Sequence, residues 1–291
     1  MSRPIETTAA AVEQALAGCS SSLVRVGATS WSFALSNGAA LPANAILDDG
    51  WVSITMGLDH GSAVNDPSDL HRALQVGPDI PGRGRPVIAP GSRGISLVAD
   101  LPVHKHTNPS DSVAAACSEL ERGADTLRGI QATADDPPRP AQSQGHKVDV
   151  PGLCEQAGWP CKVRSSGRLA VDLETPGSFF QAEIEDRGAS GLVARAPLCE
   201  WVSLSPVCRH AVNVFLLSAC GGLKSVRPGI RESDGRTTAI LEVVLPGEPG
   251  ADELNEALAI LSVACSVCGR EAACLADDFV AGTYLAARGW N

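Results

Sequence analysis

Cysteines are the first residues to test for chemistry, and the 291-residue chain has ten of them. Cys265-Ser266-Val267-Cys268 has the spacing of a redox dithiol or of half a zinc site. A redox pair of that kind works from a helix N-terminus, where the backbone N–H groups lower the thiol pKa. Here both sulfurs fall on one apolar stripe. Leu254, Leu258, Leu261, Cys265, Cys268, Ala272, Leu275 and Phe279 alternate four and three residues apart, which predicts a single long helix with the thiols as small core residues. Cys154 and Cys161 flank Trp159-Pro160, and no second Cys-x-x-Cys with zinc spacing accompanies them. In Cys208-Arg209-His210 the thiol and imidazole would point about 200° apart on a helix, which disfavours a thiolate–imidazolium pair. His104-Lys105-His106 could share a strand face, but it lies between Pro102 and Asn108-Pro109 and reads as a loop. Gly82-Arg83-Gly84-Arg85 and Arg93 form the one local basic cluster, whose guanidinium forks suit a carboxylate- or phosphate-bearing partner segment. No nucleophile elbow, Walker loop or dinucleotide fingerprint is present. A non-enzymatic protein with no metal and no cofactor is therefore expected, and a thiol- or metal-dependent enzyme using Cys265 and Cys268 is the alternative. A structural or regulatory module is a third reading.

The elements that position these residues divide into two halves. Length suggests about two domains, and 44% apolar residues supply a sizeable core. The formal charge of −10 argues against nucleic acid as a partner. No apolar run reaches the ~20 residues a membrane span needs, and the N-terminus lacks the apolar region of a signal peptide. A cytoplasmic location with reduced thiols is the expectation.

The Pro-rich stretch Asp135-Asp136-Pro137-Pro138-Arg139-Pro140 reads as an exposed tether, so the expected division is 1–128, a linker at 129–148, and 149–291. The flanking halves can be laid over one another. Glu13-Gln14-Ala15 matches Glu155-Gln156-Ala157, and Val24-Arg25 matches Val163-Arg164. Asn44-Ala45-Ile46-Leu47-Asp48-Asp49-Gly50 parallels Ala182-Glu183-Ile184-Glu185-Asp186-Arg187-Gly188. Asp66-Pro67 and Ser205-Pro206 are both helix starts, and Ile95–Pro102 resembles Thr238–Pro246. Each half reads as helix, three strands, helix, two strands, helix. Ile5, Ala9, Val12 and Leu16 mark the first helical face, and Val113, Cys117, Leu120, Ala124 and Leu127 mark the third. Strands are expected over Val24–Leu35, Ala43–Leu47 and Trp51–Leu58, with turns at Asn37-Gly38 and Asp48-Asp49-Gly50.

This element order, in an acidic unit of about 135 residues, resembles the class I type III secretion chaperones and the related YbjN-like proteins. The likeness covers residues 5–128 and 150–286. It implies an α+β fold of two similar α-β-β-β-α-β-β-α units with antiparallel sheets, arranged as an intrachain pseudo-dimer. Family chaperones pair through the middle helix, so the resemblance implies that Asp66–Val76 faces Ser205–Leu217, with Leu70 and Leu74 against Cys208, Val212 and Phe215. It also implies a monomer acting as a pseudo-dimer and a protein partner or secreted effector segment. Trp31, Phe33, Trp51, Ile54 and Met56 are the residues expected to line an apolar groove for that segment, with plain sheet core as the competing reading.

Overall fold

The computed structural model describes residues 3–20, 22–35, 41–58, 66–92, 94–103, 109–132, 148–164, 168–175, 178–233 and 235–290. The chain is α+β, in two similar halves. It forms two compact units, Met1–Val64 with Asp79–Ala132, and Asn65–Pro78 with Thr133–Asn291.

In the first unit the stripe Ala9, Val12 and Leu16 is the buried face of α1 (Arg3–Cys19). The stretch read as one strand is a hairpin, β1 (Val24–Gly27) and β2 (Ser30–Leu35), turned at Ala28-Thr29. Arg25 holds the bend by donating to the carbonyls of Gly27 at 3.1 Å and Ala28 at 2.6 Å. β3 (Leu41–Asp48) and β4 (Trp51–Gly57) follow. Asp49 and Gly50 join them at φ of 45° and 75°, the left-handed pair that a two-residue hairpin with right-twisted strands requires. α2 (Pro67–Val76) leaves this unit for the second. Its Asp66 cap accepts from the Ser68 N–H at 2.8 Å. β5 (Arg85–Ile88), β6 (Ile95–Pro102) and α3 (Pro109–Ala132) complete the first unit. Strand order is β1-β2-β3-β4-β6-β5, wholly antiparallel. Period-2 alternation sends Trp31, Phe33, Ala43, Ala45, Ile54, Met56, Leu97 and Ala99 to one face. There they meet α1 and the α3 stripe Val113, Cys117, Leu120 and Ala124 in a single core.

The second unit repeats the plan with α4 (Val150–Gln156), β7 (Cys161–Val163), β8 (Leu169–Thr175), β9 (Ser178–Asp186), β10 (Leu192–Glu200), α5 (Pro206–Gly222), β11 (Val226–Ser233), β12 (Arg236–Leu245), α6 (Ala251–Cys274) and α7 (Asp278–Arg288). Its sheet runs β11-β12-β10-β9-β8-β7. α6 lies along β10, β12 and β8, and buries Leu254, Leu258, Leu261, Cys265 and Cys268 against Leu173, Ala182, Ala194, Ala196, Leu241 and Val243 of the sheet's core face. α2 packs on α5 and β11 within this unit, where Leu70 and Leu74 are fully buried. His71 stacks on Trp201 with ring centroids 5.2 Å apart. At Gly229 the α2 segment comes so close that an added Cβ would meet Pro78 Cγ at 2.5 Å.

A further sequence expectation needs correction here. The last apolar stripe is two helices, because Leu275 closes α6 and Asp277 opens α7. Phe279, counted on the stripe, is 83% exposed. The Asp277 carboxylate accepts from the N–H groups of Phe279 and Val280 at 3.0 and 3.1 Å. Asp277→Ala should cost about 1 kcal/mol, read as a lowered α7 protection in hydrogen exchange with α6 unchanged. α5 packs on α7 as well as on α2: the Cys208 thiol donates to Asp278 Oδ1 at 3.1 Å, and the Phe215 ring meets Tyr284 edge-on at 6.4 Å. Val212 is fully buried on the same stripe. The neighbouring face of α5 carries Arg209, whose charge, after burial, is the second influence holding His71 below the ordinary imidazole pKa.

α6 is long and apolar enough to cross a membrane by length and composition. Its apolar stripe is spent on the sheet.

Candidate functional site

The sheet face opposite α6 is where the second unit concentrates charge. On strands with period 2, residues flanking the core positions all point outward. In Glu183-Ile184-Glu185, Ala194-Arg195-Ala196 and Leu241-Glu242-Val243 the charged residue is the outward one. Cross-strand register then joins them into one ladder. Lys162 Nζ of β7 lies 2.6 Å from Asp172 Oδ2 of β8, and Asp172 Oδ1 accepts from Gln181 of β9 at 2.8 Å. Arg164 reaches Gln181 and donates to Glu183 at 2.9 Å, and Arg168 donates to the same carboxylate at 3.1 Å. Arg195 of β10 bridges Glu185 at 3.2 Å and Glu242 at 3.1 Å. Glu242 of β12 also pairs with Arg227 of β11 at 3.4 Å. The ladder ends where Arg227 and Arg231 donate to the Pro78 carbonyl at 3.5 and 3.4 Å.

Burial grades along it. Glu242 is 0% and Arg227 2% exposed, whereas the Lys162 side chain is 72% exposed. Neighbouring charges stabilise the outer members: hydrogen bonds from Lys162 and Gln181 hold the Asp172 carboxyl below its usual range. Burial opposes ionisation of Glu185, yet the charges of Arg187 and Arg195 leave its pKa lowered. Between the two ends lies a cleft of about 440 Å³. Pro197 and Ile240 give it an apolar floor, with Arg168, Glu183, Glu185 and Arg195 on one side and Arg231 and Glu232 on the other.

The first unit has a smaller version of the buried end. Asp100 of β6 is paired with Arg85 at 2.6 Å, both almost fully buried, and accepts from Ser53 at 2.7 Å. Ser53 faces Asp100 across the β4–β6 pair as Arg195 faces Glu242 across β10–β12. The acid thus occupies matching places in the two sheets.

Most sequence-predicted partner residues lie elsewhere. Trp31, Phe33, Ile54 and Met56 are in the first unit's core and line no groove, because period-2 alternation turns them all under α1 and α3. Trp51 is half-buried at the start of β4 on the opposite face. Arg85 is committed to Asp100, and the Arg83 backbone N–H is held by Glu119 Oε2 of α3 at 2.9 Å. Of this cluster, the Arg85 guanidinium is thus held inside the fold and the Arg83 backbone is braced on α3. Arg93 and His104-Lys105-His106 lie outside the described residues, as do Asn37-Gly38 and most of the expected linker.

Among the described residues no three His, Cys, Asp or Glu side chains are grouped to hold a metal ion. Cys265 and Cys268 sit mid-helix and fully buried. Burial, with the neighbouring Cys268, pushes the Cys265 thiol up to about 12, and burial with Glu271 pushes Cys268 up to about 11. Since the thiolate is the nucleophile, iodoacetamide should label the exposed Cys274 well before either of these in the native protein, by mass spectrometry of digests. Equal rates would revive the thiol-enzyme reading. The same shifts act on stability. A thiol with a raised folded pKa favours the folded state fully below its unfolded pKa of 9.0 and progressively less as pH rises toward 11–12. Urea midpoints should therefore fall between pH 9 and 11, and a Cys265→Ala/Cys268→Ala variant should show a shallower fall.

No protein-family model matches the chain, and no curated protein matches it in sequence.

Proposed function

We propose that this is a non-enzymatic, chaperone-like protein-binding protein that takes up a partner segment in the cleft on the second sheet. The observation that carries this reading is the cleft itself, an apolar floor flanked by guanidinium and carboxylate groups of both signs. Solvent-exposed ion pairs contribute only about 0–1 kcal/mol, so pairs such as Arg168–Glu183 open at little cost and can be exchanged for a partner's charges. Burial of partner side chains on Pro197 and Ile240 then adds to affinity at ~25 cal/mol per Å². The rigid frame comes from the buried end of the ladder, which need not move. A segment that alternates charged and apolar residues fits these demands. The element order resembling the class I secretion chaperones, which carry secreted effector segments, supports the same reading.

The test places a photo-crosslinking residue at Thr238, inside the cleft, and a control at Val263 on the exposed side of α6. In lysate of the source cells one partner should crosslink from Thr238 and not from Val263. An Arg168→Glu/Glu232→Arg variant with unchanged circular dichroism should lose that product. No product, or the same product from both positions, would overturn the proposal.

A further inference from the structure

Burial alone accounts for Cys265 and Cys268, but two other cysteines of the second unit are brought together by a built turn. Cys154 lies on α4 and is fully buried. Cys161 opens β7 and is half-buried. Between them the chain reverses at Gly158, with φ of 79°, a left-handed position that glycine takes without steric cost. The turn is closed by the Trp159 N–H donating to the Cys154 carbonyl at 2.9 Å. It is anchored on α6 by the Trp159 indole N–H, 2.8 Å from Asn255 Oδ1. The turn packs α4 against β7 and sets the two thiols beside one another.

We propose that Cys154 and Cys161 are a redox modification site, which low-molecular-weight disulfides convert to an internal disulfide fixing α4 to the edge strand β7. This is independent of the cleft and its partner. The half-exposed Cys161 thiolate attacks one sulfur of a disulfide such as oxidised glutathione. A Cys161–glutathione bond forms, and one glutathione thiolate leaves. Cys154, having given up its proton to solvent, attacks Cys161 Sγ and expels the second glutathione thiolate. The two leaving thiolates take up the two protons. Overall two protein thiols are oxidised by two electrons and one external disulfide is reduced to two thiols. Burial, with Cys161 nearby, pushes the Cys154 thiol up to about 12, so Cys154 acts second, in a step made fast by contact already present in the reduced state.

The experiment incubates the native full chain with a graded ratio of oxidised to reduced glutathione, blocks remaining thiols, and digests without reduction. Cleavage after Glu155 separates the two cysteines, so a linked Cys154–Cys161 pair of peptides is unambiguous. The linked pair should accumulate at ratios where Cys265 and Cys268 remain alkylatable only after unfolding. Cys154→Ser should trap glutathione on Cys161, and Cys161→Ser should leave Cys154 free. The proposal is overturned if both thiols stay free at a ratio that fully glutathionylates Cys274. It is overturned equally if wild-type protein stops at the Cys161 mixed disulfide.

Discussion

Glu242→Ala should lower the stability of the second unit by roughly 3–5 kcal/mol, the size of effect seen when one member of a buried ion pair is removed. The reason is the company Glu242 keeps. Its carboxylate is fully buried and is shared by Arg195 at 3.1 Å and Arg227 at 3.4 Å. Without it, two guanidinium groups remain inside the fold with one balancing charge fewer, and arginine cannot shed its proton to escape. Glu242→Gln keeps two polar atoms in place but removes the charge, so it should be intermediate. Urea denaturation followed by circular dichroism checks this, with Lys162→Ala at the exposed end of the ladder as a control that leaves the midpoint nearly unmoved. A Glu242→Ala midpoint equal to that control would mean the ladder is a surface ornament. Asp100→Ala, with Arg85 left behind, makes the corresponding demand on the first unit.

The second large effect concerns α2. Leu70 and Leu74 are fully buried where α2 packs on α5 and β11. Truncating a buried leucine to alanine costs about 2–5 kcal/mol. Leu70→Ala/Leu74→Ala in the full chain should therefore release α2 from the second unit. The expected signs are faster amide exchange in both α2 and α5, new binding of an apolar dye, and an unchanged core of α1, α3 and their sheet. Retained protection in α5 would show that this unit does not depend on α2. Residues 1–132 expressed alone should bind the dye as the double variant does, since they carry α2 without the surface that buries it.

Much of this architecture is legible from residue types. The 3.5-residue stripes on α3 and α6, the alternation in β3 and β4, and the caps Asp66 and Ser205 all report local rules, and local rules hold where tertiary structure reinforces them. The misses have specific physical causes. Trp31, Phe33, Ile54 and Met56 look equally like groove or core, because one alternating strand cannot say which of its faces meets a helix. The α6–α7 break keeps the heptad phase across Leu275, so periodicity runs through it, although Asp277-Asp278 before Phe279 is a helix-start signal. The hairpin at Ala28-Thr29 lacks the Asn-Gly or Asp-Gly that marks Asp49-Gly50. The charge ladder is the deepest omission. Lys162, Asp172, Glu183, Arg195, Glu242 and Arg227 are scattered over more than sixty residues and become neighbours only through register across six strands.

The place of α2 also has a consequence in time. The helix is made early and its companion α5 late, with 129 residues, 77–205, between the end of one and the start of the other. At the ~5–20 residues per second of synthesis, Leu70 and Leu74 emerge roughly seven to thirty seconds before α5 exists to receive them. Through that interval the nascent chain carries a bare leucine stripe. Any factor that shields apolar helices on the ribosome should engage this chain at residues 67–76 and let go once α5 has cleared the exit tunnel.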